Sequence, residues 1–444
     1  MSISPPEANQ RPLREAADPG RLRECPECGL FQRVPPLPRG GSASCPRCRA
    51  VLRHQRAEPA VPATAMALTG LMLFTVASQL PLLDLQWGSR SSAANLATGP
   101  LQLEQQGMLP LSIVVIATTM AAPLARLLAM LWVLVGVRTA HPPRHLYQVF
   151  RWVERLRPWS MVEVFLLGLF VAYTKLGDLA LVRLDVAAYA LGALMLAMAA
   201  ADAALDEEGV WQSLERAGAT AAPMQAGQLP APTAAPRRLV GCDCCGLVSS
   251  LPPGRPIHRS VCPRCGALLR VRKPNSLGRT AALLTAAAIL YIPANMLPVM
   301  TVVQLGKGRP NTILSGVEEL LAGGMWPLAA LVFFASILVP VAKLLGLSLL
   351  MFSVRRPDTH PDLARLRRRT LLYRAIEAVG RWSMIDVFMV SILTALVRWD
   401  RFASVTPGPG VLAFCAVVIL TMLAAASFDP RQMWDAAARL PRPA

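Results

Sequence analysis

Apolar residues gather into eight long stretches, at 64–83, 109–137, 160–182, 185–205, 279–300, 325–353, 383–405 and 409–428. A helix needs about 20 such residues to cross a ~30 Å hydrocarbon layer. A helix on the surface of a water-soluble domain carries a polar stripe at 3.6-residue spacing. These runs are apolar all round, so the pattern predicts eight transmembrane helices. The third and fourth stretches of each group of four are joined by short segments ("VRLD", "SVTPGPG"), which predicts antiparallel neighbours meeting at tight turns. Pro81, Pro123, Pro298 and Pro340 are expected to end or kink helices, with Pro123 and Pro340 shaping the second helix of each group.

The polar positions show that this pattern is written twice. "CPEC" at Cys25 and Cys28 precedes "CPRC" at Cys45 and Cys48. "CDCC" at Cys242 and Cys245 precedes "CPRC" at Cys262 and Cys265, and every cysteine is displaced by 217 positions. The same displacement carries Gly107 onto Gly324, Pro123 onto Pro340 and Arg126 onto Lys343. After a short insertion it becomes 223, carrying Glu154 onto Glu377, Trp159-Ser160-Met161 onto Trp382-Ser383-Met384, Glu163 onto Asp386, Asp206 onto Asp429 and Trp211 onto Trp434. The fold class that follows is an α-helical polytopic membrane protein, a tandem repeat of one zinc ribbon plus four transmembrane helices. The expected divisions are an N-terminal segment 1–63 with a ribbon at 25–48, a first bundle 64–206, a linker 207–276 with the second ribbon at 242–265, a second bundle 277–429 and a tail 430–444.

Composition agrees with a membrane class: 54% of the 444 residues are hydrophobic and 16% are charged. The net charge of +18 would suit nucleic acid in a soluble chain. Here its placement sets orientation, because cytoplasmic loops collect Lys and Arg. Arginines crowd the segment before the first helix and the loops between second and third helices, including "RLRRR" at 365–369, whereas the opposite side holds little beyond Arg90, Lys307 and Arg309. Both ribbons and both termini are therefore expected in the cytoplasm. The first 60 residues are rich in Pro and Arg and lack an early apolar core, which also predicts an N-terminus that stays inside the cell. Four crossings is an even number, so the halves point the same way and form a parallel repeat.

Paired CxxC knuckles separated by 16 residues offer four thiolates to one tetrahedral metal. The ligands are expected to be Cys25, Cys28, Cys45 and Cys48 for one Zn²⁺ and Cys242, Cys245, Cys262 and Cys265 for a second, with iron the competing metal. Glycine after "CPEC" and after the second "CPRC" suits a turn with positive φ. Cys244 stands where the first ribbon has Glu27 and reads as a spare thiol, and Cys415 reads as a packing residue. Such closed sites are structural, and the first ribbon has one aromatic residue, Phe31, so nucleic-acid binding is not expected.

Charges inside apolar runs are the remaining signal. Glu163 and Asp386 sit about a turn inside the third helices, where a carboxylate should face the bundle and be paired. At 1.5 Å per residue Arg126 lies at similar depth on the second helix. Two ion pairs are thus expected, Arg126–Glu163 and Lys343–Asp386. Lys175, Asp178 and Arg398 lie near the opposite face, where they snorkel or mark a polar cavity. Ser160, Ser383 and Asn295 are candidates for polar contacts inside the bundle.

The ribbons, "RPWSMVEVFLLG", "RWSMIDVF" and the closing "SFDPRQMW" together resemble the paraquat-inducible protein A family over nearly the whole chain. That resemblance implies a non-enzymatic component of the bacterial inner membrane that passes phospholipid to a periplasmic tunnel of MCE-domain protein. The residues alone leave two other classes open. One is a small-molecule transporter driven by protons through Glu163 and Asp386; the other is a membrane-anchored zinc or redox sensor. No P-loop, HExxH or nucleophile–base arrangement points to an enzyme.

Overall fold

In the computed structural model, residues 21–55, 60–87, 90–139, 142–177, 181–222, 238–251, 260–304, 307–356, 362–399 and 403–438 are described. The first ribbon pairs β1 (Arg21–Glu24) with β2 (Phe31–Val34) and β3 (Ser42–Ser44) with β4 (Val51–His54), both antiparallel. Each knuckle closes on a residue of positive φ. Gly29, Gly246 and Gly266 serve three of the four, and Arg49 (φ 62°) serves the other at the position equivalent to Gly266.

The first bundle begins with α1 (Ala60–Gln79), followed by the hairpin β5 (Leu83–Trp87) and β6 (Arg90–Ala94) and a short helix α2 (Thr98–Gln105). The second crossing is α3 (Leu109–Ile116) and α4 (Ala122–Gly136), joined through a π-helical turn at Ala117–Ala121. Pro123 explains that turn: without an N–H it cannot close the helical bond to the residue four before it, and the ladder widens there. An amphipathic helix, α5 (Leu146–Leu156), leads into the third crossing, α6 (Val162–Gly177). β7 (Leu181–Leu184), the fourth crossing α7 (Val186–Ala204) and α8 (Glu207–Arg216) complete the half.

The second half repeats this order. The ribbon hairpin β8 (Arg238–Gly241) and β9 (Val248–Leu251) precedes α9 (Ser276–Met296), β10 (Met300–Gln304), β11 (Lys307–Asn311) and α10 (Ile313–Ala322). The second crossing is α11 (Trp326–Phe333), a π-turn at Phe334–Leu338 and α12 (Val339–Arg355). Then come α13 (Leu363–Val379), α14 (Ile385–Leu396), β12 (Arg398–Trp399), β13 (Ala403–Pro407), α15 (Pro409–Ser427) and α16 (Arg431–Ala438). Among the described residues, eight helical stretches are long and apolar enough to cross a membrane, as the hydropathy pattern predicts.

The loops opposite the ribbons differ from expectation. In place of tight turns, β7 joins an antiparallel sheet of order β6-β5-β7, and β13 joins one of order β11-β10-β13-β12. Each sheet ties the loop after the first helix to the loop after the third, which pairing of distant four-residue runs makes invisible to local pattern.

The two halves meet along α6 and α14. Phe165 and Phe388, equivalent residues of the repeat, stack edge to face with centroids 5.6 Å apart, so the pseudo-twofold axis runs between them. Gly168 permits the approach: a Cβ there would lie 3.0 Å from Phe388 Cβ and 3.2 Å from the Ile385 carbonyl oxygen. The symmetry breaks around this axis. α2 and α3 of the first half cover α14, and α3 also reaches α15, so every residue of α14 is buried. α6 keeps exposed positions such as Phe170.

The ribbons cross over. The first docks on α13 and α16 of the second half, where Arg374 Nε donates to both Glu27 oxygens (2.6 and 2.8 Å) and Arg47 lies 4.6 Å over the Trp434 ring. The second docks on α5 and α8 of the first half, where Arg264 Nη2 binds Glu208 (3.1 Å) and Glu215 (3.2 Å). One contact recurs on both sides: Arg374 donates to the Cys48 carbonyl and its equivalent Arg151 to the Cys265 carbonyl, each at 3.4 Å.

Candidate functional site

Knuckle geometry brings the predicted thiols together. Cys25, Cys28, Cys45 and Cys48 form one group, and Cys242, Cys245, Cys262 and Cys265 form another; within each, all sulfurs lie within 4.8 Å of one another and all four residues are buried. The cross-knuckle Sγ–Sγ distances are 3.5 to 3.6 Å. Ligation at about 2.3 Å in a tetrahedron places sulfurs about 3.8 Å apart, whereas a disulfide needs about 2.05 Å. The donor sets fit a tetrahedral thiophilic metal ion. Hydrogen bonds from Cys28 and Cys48 draw the Cys25 thiol down to about 4, so the cluster favours a thiolate, while Cys28, which donates, is pushed up. Cys244 stands outside its group at half-burial, in the position where Glu27 of the first ribbon meets Arg374.

A second tier of charges holds ribbons to bundles. Glu208 on α8 is buried and takes Arg23, Arg264 and Arg21. Burial pushes its carboxyl up, but Arg23 and Arg264 hold it below the ordinary value. The equivalent residue on α16 has the opposite sign: Arg431 bonds Asp429 (3.0 Å), Glu24 (3.4 Å) and Asp243 (3.1 Å). The 223-residue displacement makes these two positions equivalent, yet nothing in it signals that their partners come from both ribbons.

The membrane charges do not pair as expected. The Arg126 guanidinium bonds Asp202 on α7, not Glu163. Lys343 donates to the Gly380 carbonyl (2.8 Å), Ser383 Oγ (3.1 Å) and Thr421 Oγ1 (3.5 Å), not to Asp386. Equal depth does not by itself choose a partner, and the fourth helix of each half supplies one at the same level, Asp202 for Arg126 and Thr421 for Lys343. Asp386 is buried facing Ser336 of the π-turn, and among the described residues neither side chain has a partner within hydrogen-bonding geometry. Ser160 Oγ is likewise buried without one, and Asn295 Nδ2 bonds the Tyr291 carbonyl (2.8 Å) within its own helix. Lys175 points across the half-to-half boundary, its ammonium 3.7 Å from where a Cβ on Gly316 would stand. Asp178 and the Arg398 side chain lie outside the described residues.

Glu163 lines a cavity. Where α6 and α7 diverge, about 610 Å³ of space is lined by Glu163, Leu166, Phe170, Tyr173, Tyr189 and Trp382 among others. This is the counterpart of the region that α2 and α3 cover on the other side of the pseudo-twofold axis. Its walls are almost wholly apolar, and Glu163 and Tyr173 are separated along α6 by roughly 15 Å at 1.5 Å per residue. The volume lies within the ~300–1,000 Å³ of ligand pockets. Phe170 and Tyr189 on its rim are exposed, so the space is an open lateral groove. Tyr189 carries no signal in sequence, because an isolated aromatic in an apolar run is ordinary, whereas Trp382 is marked there only as part of the repeated phrase.

Comparison with known proteins agrees with this architecture. The profile of the family described as paraquat-inducible protein A matches twice, over residues 62–215 and 277–438. The chain is 33% identical over 411 residues to the Escherichia coli protein named intermembrane transport protein PqiA, covering 93% of this chain and 95% of that one. It is 32% identical over 426 residues to the Escherichia coli lipophilic envelope-spanning tunnel protein A, covering 96% and 94%. No solved structure matches it significantly. With the family profile spanning both four-helix bundles and relatives aligned nearly end to end, the chain belongs to the paraquat-inducible protein A family.

Proposed function

We propose that this protein is an inner-membrane component of an intermembrane lipid-transport system. It exchanges phospholipid between the bilayer and a periplasmic tunnel built by a protein with MCE domains. The groove between α6 and α7 carries this reading: a long apolar slot, open to the bilayer, suits an acyl chain and offers no polar array for a water-soluble metabolite. Relatives named for intermembrane transport and for an envelope-spanning tunnel support it. The ribbons, each holding one Zn²⁺, and both termini lie in the cytoplasm, on the side where the arginines of α5 and α13 collect. The sheets at the other end then face the tunnel. Zinc would supply cross-linking only, since four thiolates leave no open position for a substrate.

Mass spectrometry of the lipids and proteins that copurify with the full chain in mild detergent tests this. Phospholipid together with an MCE-domain protein is expected; a chain that copurifies with neither contradicts it. Asp386 favours a second reading, proton coupling. A buried carboxylate in a membrane helix, with no hydrogen-bond partner among the described residues, can take up and release a proton. If a proton gradient drives transport, Asp386→Asn abolishes its dependence on that gradient in proteoliposomes, and unchanged dependence rules the coupling out.

A further inference from the structure

The duplication supplies an internal comparison at one buried cation. In the first half Arg126 is neutralised by Asp202 of the fourth helix. Its equivalent Lys343 is 2% exposed, and among the described residues the three oxygens that accept from it, on Gly380, Ser383 and Thr421, are all neutral. The residue displaced by 223 from Asp202 is Ala425. Against Ala425 opens a cavity of about 430 Å³, lined by Lys343, Thr421, Ile376, Met422 and Trp159 as well. One half thus holds a carboxylate where the other holds a space.

We propose that this cavity binds the phosphate of an anionic phospholipid from the ribbon-side leaflet, so that the lipid stands to Lys343 as Asp202 stands to Arg126. An ammonium withdrawn from water is costly without a counter-charge. Arg157 and Arg374 also line the cavity, each with a carboxylate of its own, Glu207 at 3.0 Å and Glu27 at 2.6 Å, and Glu377 is the acidic residue in the wall. Basic pockets between helices at the membrane surface take anionic headgroups. A free inorganic anion would answer the charge of Lys343 but not the apolar wall of Ile376 and Met422, which matches the upper part of an acyl chain. Trp159 fits the depth, because indoles favour the headgroup level. The site is separate from the α6–α7 groove and does not depend on the transport reading.

The test titrates the delipidated full chain in mild detergent with phosphatidylglycerol, with phosphatidylcholine and with phosphatidylglycerol plus inorganic phosphate, counting bound lipid by native mass spectrometry. Phosphatidylglycerol should be retained about fivefold better than phosphatidylcholine, the effect of one cation at the membrane surface, and phosphate should not displace it. Ala425→Asp rebuilds the first half's ion pair inside the cavity and should erase the preference. Ala425→Leu fills the space without charge and should do the same, which covers the case in which the aspartate variant fails to fold. Equal retention of the two lipids by the wild-type chain overturns the proposal, as does a preference that survives in the folded variants. Displacement by phosphate overturns the lipid as source and assigns the site to a free anion.

Discussion

Arg126 shows what a buried charge demands of its neighbours. Its position inside an apolar run was plain in sequence, but its partner was not, because Asp202 sits among alanines near a helix end and reads as a terminal residue. Removing one member of a buried pair leaves the other uncompensated. Asp202→Ala is therefore expected to cost up to about 3 kcal/mol, and adding Arg126→Met should recover much of it, both read from denaturant unfolding in detergent. A double variant no more stable than Asp202→Ala would remove the pair from the account. Arg49 is the converse case. It adopts a left-handed backbone that glycine occupies at the three equivalent knuckles, so Arg49→Gly should stabilise the first ribbon by about 0.5–1 kcal/mol and slow metal loss to a chelator. The two four-cysteine groups that could hold a metal ion were legible because ligation constrains spacing along the chain. Ion-pair partners were not, since pairing across helices leaves no spacing to read.

At the scale of elements, the length of the apolar runs located eight apolar helices to within a few residues at most ends, yet α14 and α6, indistinguishable by hydropathy, have different surroundings. α14 is sheathed by the first half while α6 borders a groove, and nothing in a uniformly apolar run states which face meets protein and which meets lipid. The contact between them depends on Gly168. Gly168→Leu should force the halves apart and cost on the order of 1–3 kcal/mol, measured as a lowered unfolding midpoint; an unchanged midpoint would show that the halves do not pack there. α8 holds both ribbons through Glu208, whose folded-state pKa is depressed. Its contribution is present above the unfolded value of about 4.3 and lost as pH falls through the lower folded value. The stability gap between wild type and Glu208→Gln should accordingly be full at neutral pH and close below about pH 4. A gap that stays constant through that range would assign the clasp to other residues.

For the whole molecule, duplication explains most of what is legible along the chain: a shared register marks two halves, two sets of four apolar runs and two four-cysteine groups. What it could not carry is the departure from symmetry. The crossed ribbons, the sheets at the far end and the groove left open on one side arise from contacts between halves, which repeat arithmetic treats as identical. Function is proposed to live in that departure, with lipid entering where α6 and α7 diverge. The most direct measurement places a photoreactive phenylalanine at Tyr173, inside the groove, and at its buried equivalent Leu396, in cells labelled with radioactive phosphate. Crosslinked phospholipid is expected at Tyr173 alone, and it should vanish when Leu167→Trp fills the groove. Absence of lipid at Tyr173, or labelling undiminished by the filled groove, would contradict the account.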